Sequence, residues 1–297
     1  MTRTEFKSGF VAIIGAPNVG KSTLLNRLLG QKLSITSKKP QTTRNRILGI
    51  LHRKDAQIVF LDTPGIHTAE KPFNIRMVEI AFSVLANVDL ALLVADAAGK
   101  DSKTEKLLMR KLPPLKIPVI LALNKIDLVD KSTLLAAIDS WANRYPFHAV
   151  VPISARLEWQ LEDLLQEMTF ALPQGPPFYS QDAWTDMPQR FIAAELIREK
   201  VFRLTGQEIP YAAAVTIDTF KPAKVGKPLT IHATIHVERG TQKGIIIGKQ
   251  GSKLRQIGEA ARKDIEQMVG EQVFLKLFVR VQKNWSKDTR AIRRFGY

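Results

Sequence analysis

The sequence contains no cysteine. That excludes disulfide staples and thiolate metal sites, and it is compatible with a reducing cytoplasm. No apolar run approaches the roughly 20 residues of a membrane-spanning helix. Leu90-Ala91-Leu92-Leu93-Val94-Ala95 is too short, and the opening Met1 to Gly9 has no apolar core of signal-peptide length. A soluble cytoplasmic protein, peripheral to a membrane at most, is expected. Acidic side chains are scarce as well, 28 against 44 lysines and arginines, for a formal net charge of +16. The imbalance favours a polyanionic partner, either nucleic acid or an anionic membrane surface. Between Lys221 and Lys263, ten basic residues stand against two acidic ones, which puts that partner on the second half.

At 297 residues the chain has length for two domains, each with a core of its own. The strongest chemical signal lies in the first. Phe10-Val11-Ala12-Ile13-Ile14 reads as a buried strand and Ser22 to Leu29 as a helix packed on a sheet. Between them runs Gly15-Ala16-Pro17-Asn18-Val19-Gly20-Lys21-Ser22, with Thr23 next. Strand, glycine loop and helix in this order make a phosphate cradle. Gly15 and Gly20 let the backbone wrap with its N–H groups inward, and the helix N-terminus adds to the pull on an anion. Lys21 is expected at the β- and γ-phosphates and Ser22 on magnesium.

The polar stretch from Gln31 to Asn45 has neither helical nor strand period and reads as an exposed loop, ending in Gln41-Thr42-Thr43-Arg44. Strands are expected over 46–52 and 57–61, the second running into Asp62-Thr63-Pro64-Gly65. A carboxylate at a strand's carboxyl end lies near the cradle. Asp62 is thus suited to magnesium, the Gly65 N–H to the γ-phosphate, and Thr43 or its neighbour Thr42 to completing the metal shell. Lys21, Thr42, Thr43 and Gly65 form the expected catalytic set, and Ser22, Thr43 and Asp62 the metal set. Alone, this DTPG could equally be an Asx turn; the cradle upstream weights it towards function.

Helices expected over 71–87 and 101–112 alternate with strands over 89–95 and 118–123, which predicts a parallel sheet with helices on both faces. Asn124-Lys125-Ile126-Asp127 then leaves the sheet on the cradle's edge. Asp127 can accept from guanine N1–H and the exocyclic amine, two donors that adenine does not present together. Asn124 can bond the base's far edge, and the Lys125 stem can cover its ring plane. Helix capping is the other use of such residues. A strand over 148–153 ends in Ser154-Ala155-Arg156, where a backbone N–H can meet guanine O6, and a helix over 158–171 closes the domain.

Pro173-Gln174-Gly175-Pro176-Pro177 breaks helix and strand alike and marks a boundary. Beyond it come a helix ending near Leu204, strands over 212–220 and 229–237, a short apolar turn, a helix to about Met268 and a strand over 272–282. His232 and His236 alternate on the second strand without a third ligand, so a solvated face is expected there rather than a metal. The turn carries Ile246-Ile247-Gly248-Lys249-Gln250-Gly251-Ser252-Lys253-Leu254. Gly248 and Gly251 lack side chains, so a polynucleotide backbone can approach, flanked by Lys249, Gln250 and Lys253. Ile246, Ile247 and Leu254 form the expected apolar groove for bases. Aromatics are only 7% of the chain, so stacking is not expected to dominate. The tail with Arg290, Arg293 and Arg294 reads either as a further RNA contact or as an ordinary solvated helix.

The ordered set GAPNVGKS, QTTR, DTPG, NKID and SAR resembles the translation-factor class of GTPases, with spacing similar to that of the bacterial Era subfamily. The second half resembles a KH RNA-binding domain of the bacterial type. These resemblances imply an α/β P-loop GTPase domain over 7–173 with a mostly parallel sheet and helices on both faces. A linker over 174–189, an α+β type II KH domain over 190–283 and a basic tail over 284–297 would follow. They imply a monomeric switch that binds GTP and GDP, hydrolyses GTP with Mg2+, binds small-subunit ribosomal RNA near its 3′ end and assists assembly of the small ribosomal subunit, with peripheral attachment to the inner membrane. Asn18 is similar to an asparagine that helps hold potassium in related GTPases; shaping the loop is its other use. Ile66 stands where Ras-like enzymes carry the glutamine that orients water, so slow intrinsic hydrolysis is expected.

Overall fold

The computed structural model of the protein describes residues 6–36, 46–66, 78–79, 81–99, 103–113, 116–206, 209, 213–223 and 226–295. Thr42, Thr43 and residues 71–77 and 80 of the helix expected over 71–87 lie outside them. The chain divides into two compact units, one of residues 1–34 with 43–186 and one of 35–42 with 187–297.

In the first unit, β1 (Lys7–Ile14), β2 (Ile47–His52), β3 (Ala56–Asp62), β4 (Leu90–Asp96), β5 (Val119–Asn124) and β6 (Ala149–Pro152) form a sheet in the order β2-β3-β1-β4-β5-β6. Only β2 runs antiparallel to its neighbour. All seven residues of β3 are buried, the pattern of a strand whose two faces are both covered. Helices α1 (Lys21–Leu29), α2 (Lys103–Lys111), α3 (Lys131–Ala142) and α4 (Leu161–Ala171) accompany the sheet. α1 buries Leu24, Leu25 and Leu28 and stops at Gly30, whose φ of 64° is the left-handed cap that favours glycine. α3 has only Trp141 buried among its residues, which is why no apolar stripe announces it; Asp130 starts it by accepting from the Thr133 N–H at 2.7 Å. Because β3 and β4 flank β1 on opposite sides, the strand order reverses beside β1, and a crevice opens outside the strands' carboxyl ends.

Residues 179–185, which fall in the linker expected over 174–189, line the edge of this sheet. Ile50 N donates to Trp184 O at 2.9 Å, Thr185 Oγ1 to Leu48 O at 2.6 Å and Gln57 Nε2 to Tyr179 O at 2.8 Å. The otherwise open edge of β2 is thereby covered.

The second unit contains α5 (Gln189–Leu204), β7 (Ala214–Lys221), β8 (Leu229–Val237), α6 (Gly240–Ile247), α7 (Ser252–Val269), β9 (Val273–Val281) and α8 (Thr289–Arg294). β8 is central, antiparallel to β7 and parallel to β9. The expected apolar turn is the helix α6. α7 buries Ile257, Ala261 and Ile265, one stripe at four-residue spacing. α5 carries buried charges that are paired: Arg198 with Glu195 at 2.6 Å, Lys200 with Asp264, and Glu199 with Arg203 at 2.7 Å. The basic tail is anchored by an apolar plug, since Trp285 is wholly buried with its ring centroid 5.2 Å from that of Phe295.

Candidate nucleotide and nucleic-acid sites

β1 delivers the chain into a loop with left-handed backbone at Asn18 (φ 63°) and Gly20 (φ 105°). A Cβ on Gly15 would stand 2.3 Å from Val94 O and one on Gly20 2.2 Å from Asn124 Nδ2, so β4 and β5 press directly on the loop and demand glycine. Lys21 is the first residue of α1 and its Nζ turns back over the loop, donating to the carbonyls of Gly15 at 3.1 Å and Ala16 at 2.9 Å. Burial lowers its pKa to about 8, with the Asp62 carboxylate pulling the other way.

Asp62 ends β3 wholly buried and accepts from Ser22 Oγ at 3.0 Å and from Ser34 Oγ at 2.8 Å. The two expected metal ligands that the structure describes, Ser22 and Asp62, therefore meet at the base of the cradle. A hydroxyl beside a carboxylate is an all-oxygen donor pair, which suits a hard cation. Among the described residues no cluster of three or more His, Cys, Asp or Glu side chains gathers. Magnesium held by one or two carboxylates together with substrate phosphates needs no such cluster. Ser34 carries no local sign of this role in the sequence.

The DTPG segment lies against the loop: Thr63 Oγ1 donates to Ile13 O at 2.8 Å, Ile66 N to Gly15 O at 3.1 Å, and a Cβ on Gly65 would come 3.0 Å from Pro17 Cα. The segment continues through Pro64 to Ile66, whose side chain is completely buried.

Asn124 does something its expected role leaves out. Its Nδ2 donates to Val19 O at 2.7 Å and its Oδ1 accepts from Ala155 N at 2.9 Å, so one 3%-exposed amide ties the cradle to the third loop. Both ends of the amide are thus engaged with backbone, a bracing role that adds to the expected base contact, since Nδ2 carries a second N–H. Ser154 Oγ donates to Asp127 Oδ1 at 2.7 Å, which holds that half-buried carboxylate in place, while Arg156 is exposed. Lys125, with φ 68°, pairs through Nζ with Asp96 Oδ2 at 2.6 Å. An acidic residue ending β4 on the cradle's edge was the available signal for Asp96.

In the second unit, Gly248 (φ 72°), Gln250 (φ 51°) and Gly251 (φ 78°) form the connection between α6 and α7. A Cβ on Gly248 would stand 2.6 Å from Lys253 Cβ and 2.9 Å from its nitrogen, whereas one on Gly251 would meet nothing within 4 Å. Lys249 and Gln250 are exposed; Ile247, Lys253 and Leu254 are half-buried. Ile246 is completely buried, so the expectation that it lines the groove is corrected: it supports the loop from the core side. Leu254, Gly258 and Arg262 of α7, with Leu275 and Leu277 of β9, line a groove of about 360 Å³ that begins at Gly251.

A phosphate cradle after a central strand, with a base-side carboxylate beside it, is the architecture of a P-loop GTPase, here followed by a KH fold. Known proteins agree. The model of a family described as 50S ribosome-binding GTPase matches residues 10–125, and that of the KH domain matches 208–286. GTPase Era of Geobacter metallireducens is 52% identical over 297 residues, covering all of both chains, and GTPase Era of Lacticaseibacillus paracasei is 49% identical, covering 99% of this chain and 98% of its own. The chain belongs to the Era family of GTPases. Among solved structures, a variant of Aquifex aeolicus Era bound to GDP.AlF4- superposes with a TM-score of 0.94 at 42% identity, covering 98% of this chain and 99% of its own. A crystal structure of Era with MgGDPNP and nucleotides 1506–1542 of 16S ribosomal RNA matches with the same score, identity and coverage.

Proposed function

We propose that this protein is a GTP-hydrolysing switch that binds small-subunit ribosomal RNA near its 3′ end through the KH domain and assists assembly of the small subunit. The observation that carries the nucleotide half is the chain of bonds Val19–Asn124–Ala155 and Ser154–Asp127, which joins cradle and base loops into one frame. Lys21 neutralises the β- and γ-phosphates, Ser22 and Asp62 hold Mg2+, and Thr42 or Thr43 completes its shell when the γ-phosphate is bound. Held there, the ion would supply charge neutralisation to the phosphates. The Gly65 N–H binds a γ-oxygen. Ile66 is buried, so no side chain at that position orients water, and slow intrinsic turnover follows.

Asp127 selects guanine, and Asp127→Asn tests it. Asparagine keeps an oxygen for Ser154 but loses the charge that meets two guanine donors, so preference moves towards xanthosine triphosphate. Unaltered GTP selectivity refutes the base pocket. For the RNA half, the variant with Lys249→Asp and Gln250→Asp places like charge on the loop and reduces RNA affinity; undiminished binding refutes it.

Potassium at Asn18 is the further cation in this reading, and equal turnover in sodium and potassium buffers counts against it. The left-handed φ of 63° at Asn18 already accounts for the residue as a loop former. The family resemblance extends this reading to a cytoplasmic monomer with peripheral attachment to the inner membrane, and for the attachment alone the net charge of +16, which attracts anionic lipid, is support. Failure to float with anionic vesicles removes that attachment.

A further inference from the structure

The sheet of the second unit has two faces. β8 turns Ile231, Ala233 and Ile235 into the core, and β9 turns Leu275 and Leu277 towards the groove. The alternate residues emerge on the opposite face, where Phe274, Lys276, Phe278 and Arg280 of β9 stand beside Thr230, His232 and Thr234 of β8. Phe274 and Phe278 are 53% and 43% exposed. The His232 ring stands edge-on to both, at 6.5 and 6.3 Å between centroids, and Lys276 Nζ lies 5.2 Å from the Phe278 centroid. At the far end Phe295 approaches His236 at 4.5 Å, with the Arg294 guanidinium over Phe295. The carboxylate of Asp218 also lies here, accepting from Thr234 Oγ1 at 2.6 Å and Thr216 Oγ1 at 3.4 Å.

We propose that this open face is a second nucleic-acid surface, one that takes unpaired nucleotides with their bases on Phe274, His232 and Phe278 and their phosphates at Lys276 and Arg280. Along β9 aromatic and basic residues alternate at every second position, so each ring has a cation as its neighbour. Protein interfaces favour aromatics but are depleted in lysine, whereas a strand of unpaired nucleotides needs both kinds of group. Open sheet faces bearing aromatic rings stack two or three bases in other RNA-binding folds, because every base offers a π-face. Low overall aromatic content is no obstacle once three rings gather on one face. The proposal rests on the reading of this unit as RNA-binding but not on the GxxG groove.

The full-length protein is titrated against a short fluorescent oligoadenylate and against a blunt RNA duplex, with anisotropy as readout. The variant carrying F274A and F278A binds the oligoadenylate at least about tenfold more weakly and the duplex as before, because paired bases cannot stack. F274W with F278W restores binding, and its indole emission is quenched on saturation. In the K249D and Q250D background the residual single-strand binding is lost on adding F274A and F278A. If only the loop variant keeps its RNA affinity, the groove reading fails and this proposal stands. Oligoadenylate binding unchanged by F274A and F278A, or equal loss for oligoadenylate and duplex, overturns it and leaves the face to a protein partner.

Discussion

Asn124→Ala separates a scaffold from a base contact. The side chain is 3% exposed and holds Val19 O at 2.7 Å and Ala155 N at 2.9 Å. Truncation leaves a buried carbonyl and a buried N–H without that partner, at about 1–3 kcal/mol each. The nucleotide-free protein should therefore lose about 2–6 kcal/mol, and at about 2–4 °C per kcal/mol for a unit of this size the first transition falls by about 4–24 °C. GTP affinity falls too, because the cradle and the guanine loops are no longer tied. Asn124→Asp is intermediate: one oxygen still accepts from Ala155, while the other now opposes the Val19 carbonyl. Urea unfolding without nucleotide reads the effect as a lower midpoint at unchanged slope. A native midpoint for Asn124→Ala, with only GTP affinity reduced, would show that the amide serves the base alone and would refute the scaffold.

Three further outcomes are expected. Gly251→Ala adds only the left-handed cost of about 1–2 kcal/mol, whereas Gly248→Ala also drives a Cβ to 2.6 Å from Lys253 Cβ, so RNA affinity measured by anisotropy falls much further in the second; equal losses would contradict the loop geometry. The Lys21 pKa of about 8 lies below the usual 10.5, so the nucleotide-free protein sheds this proton first. Since phosphate binds the charged form, GTP affinity is steady up to about pH 8 and then declines, and a flat profile at higher pH would refute the role. The same sign makes nucleotide-free stability rise, through this group, as pH climbs from 8 towards 10.5, where the unfolded chain holds more protons. Arg198→Met leaves Glu195 charged in a buried site and should cost about 3–5 kcal/mol, which adding Glu195→Gln largely restores; a neutral single variant in urea unfolding would show the pair to be dispensable.

The nucleotide loops were legible because their chemistry is local. GAPNVGKS needs a tight turn, a lysine and a hydroxyl in one continuous stretch, and backbone strain at Gly15 and Gly20 writes itself as glycine. DTPG, NKID and SAR each follow a readable strand, so their position at one sheet edge follows from parallel order. α3 was not legible, since a single buried Trp141 gives no period, and α6 was too short to separate from a turn.

By itself, the sequence determined that a polyphosphate cradle comes first and a basic glycine-loop unit second, because contiguous residues specify both. Tertiary structure alone decided that Asn124 braces the loops, that Ser34 joins Ser22 on Asp62, that Ile246 is core, and that Phe274, His232 and Phe278 share an open face. Each of these depends on which strand or loop lies alongside which. Alternation within one strand tells its two faces apart, but which strand or loop becomes its neighbour is settled by packing across tens of residues.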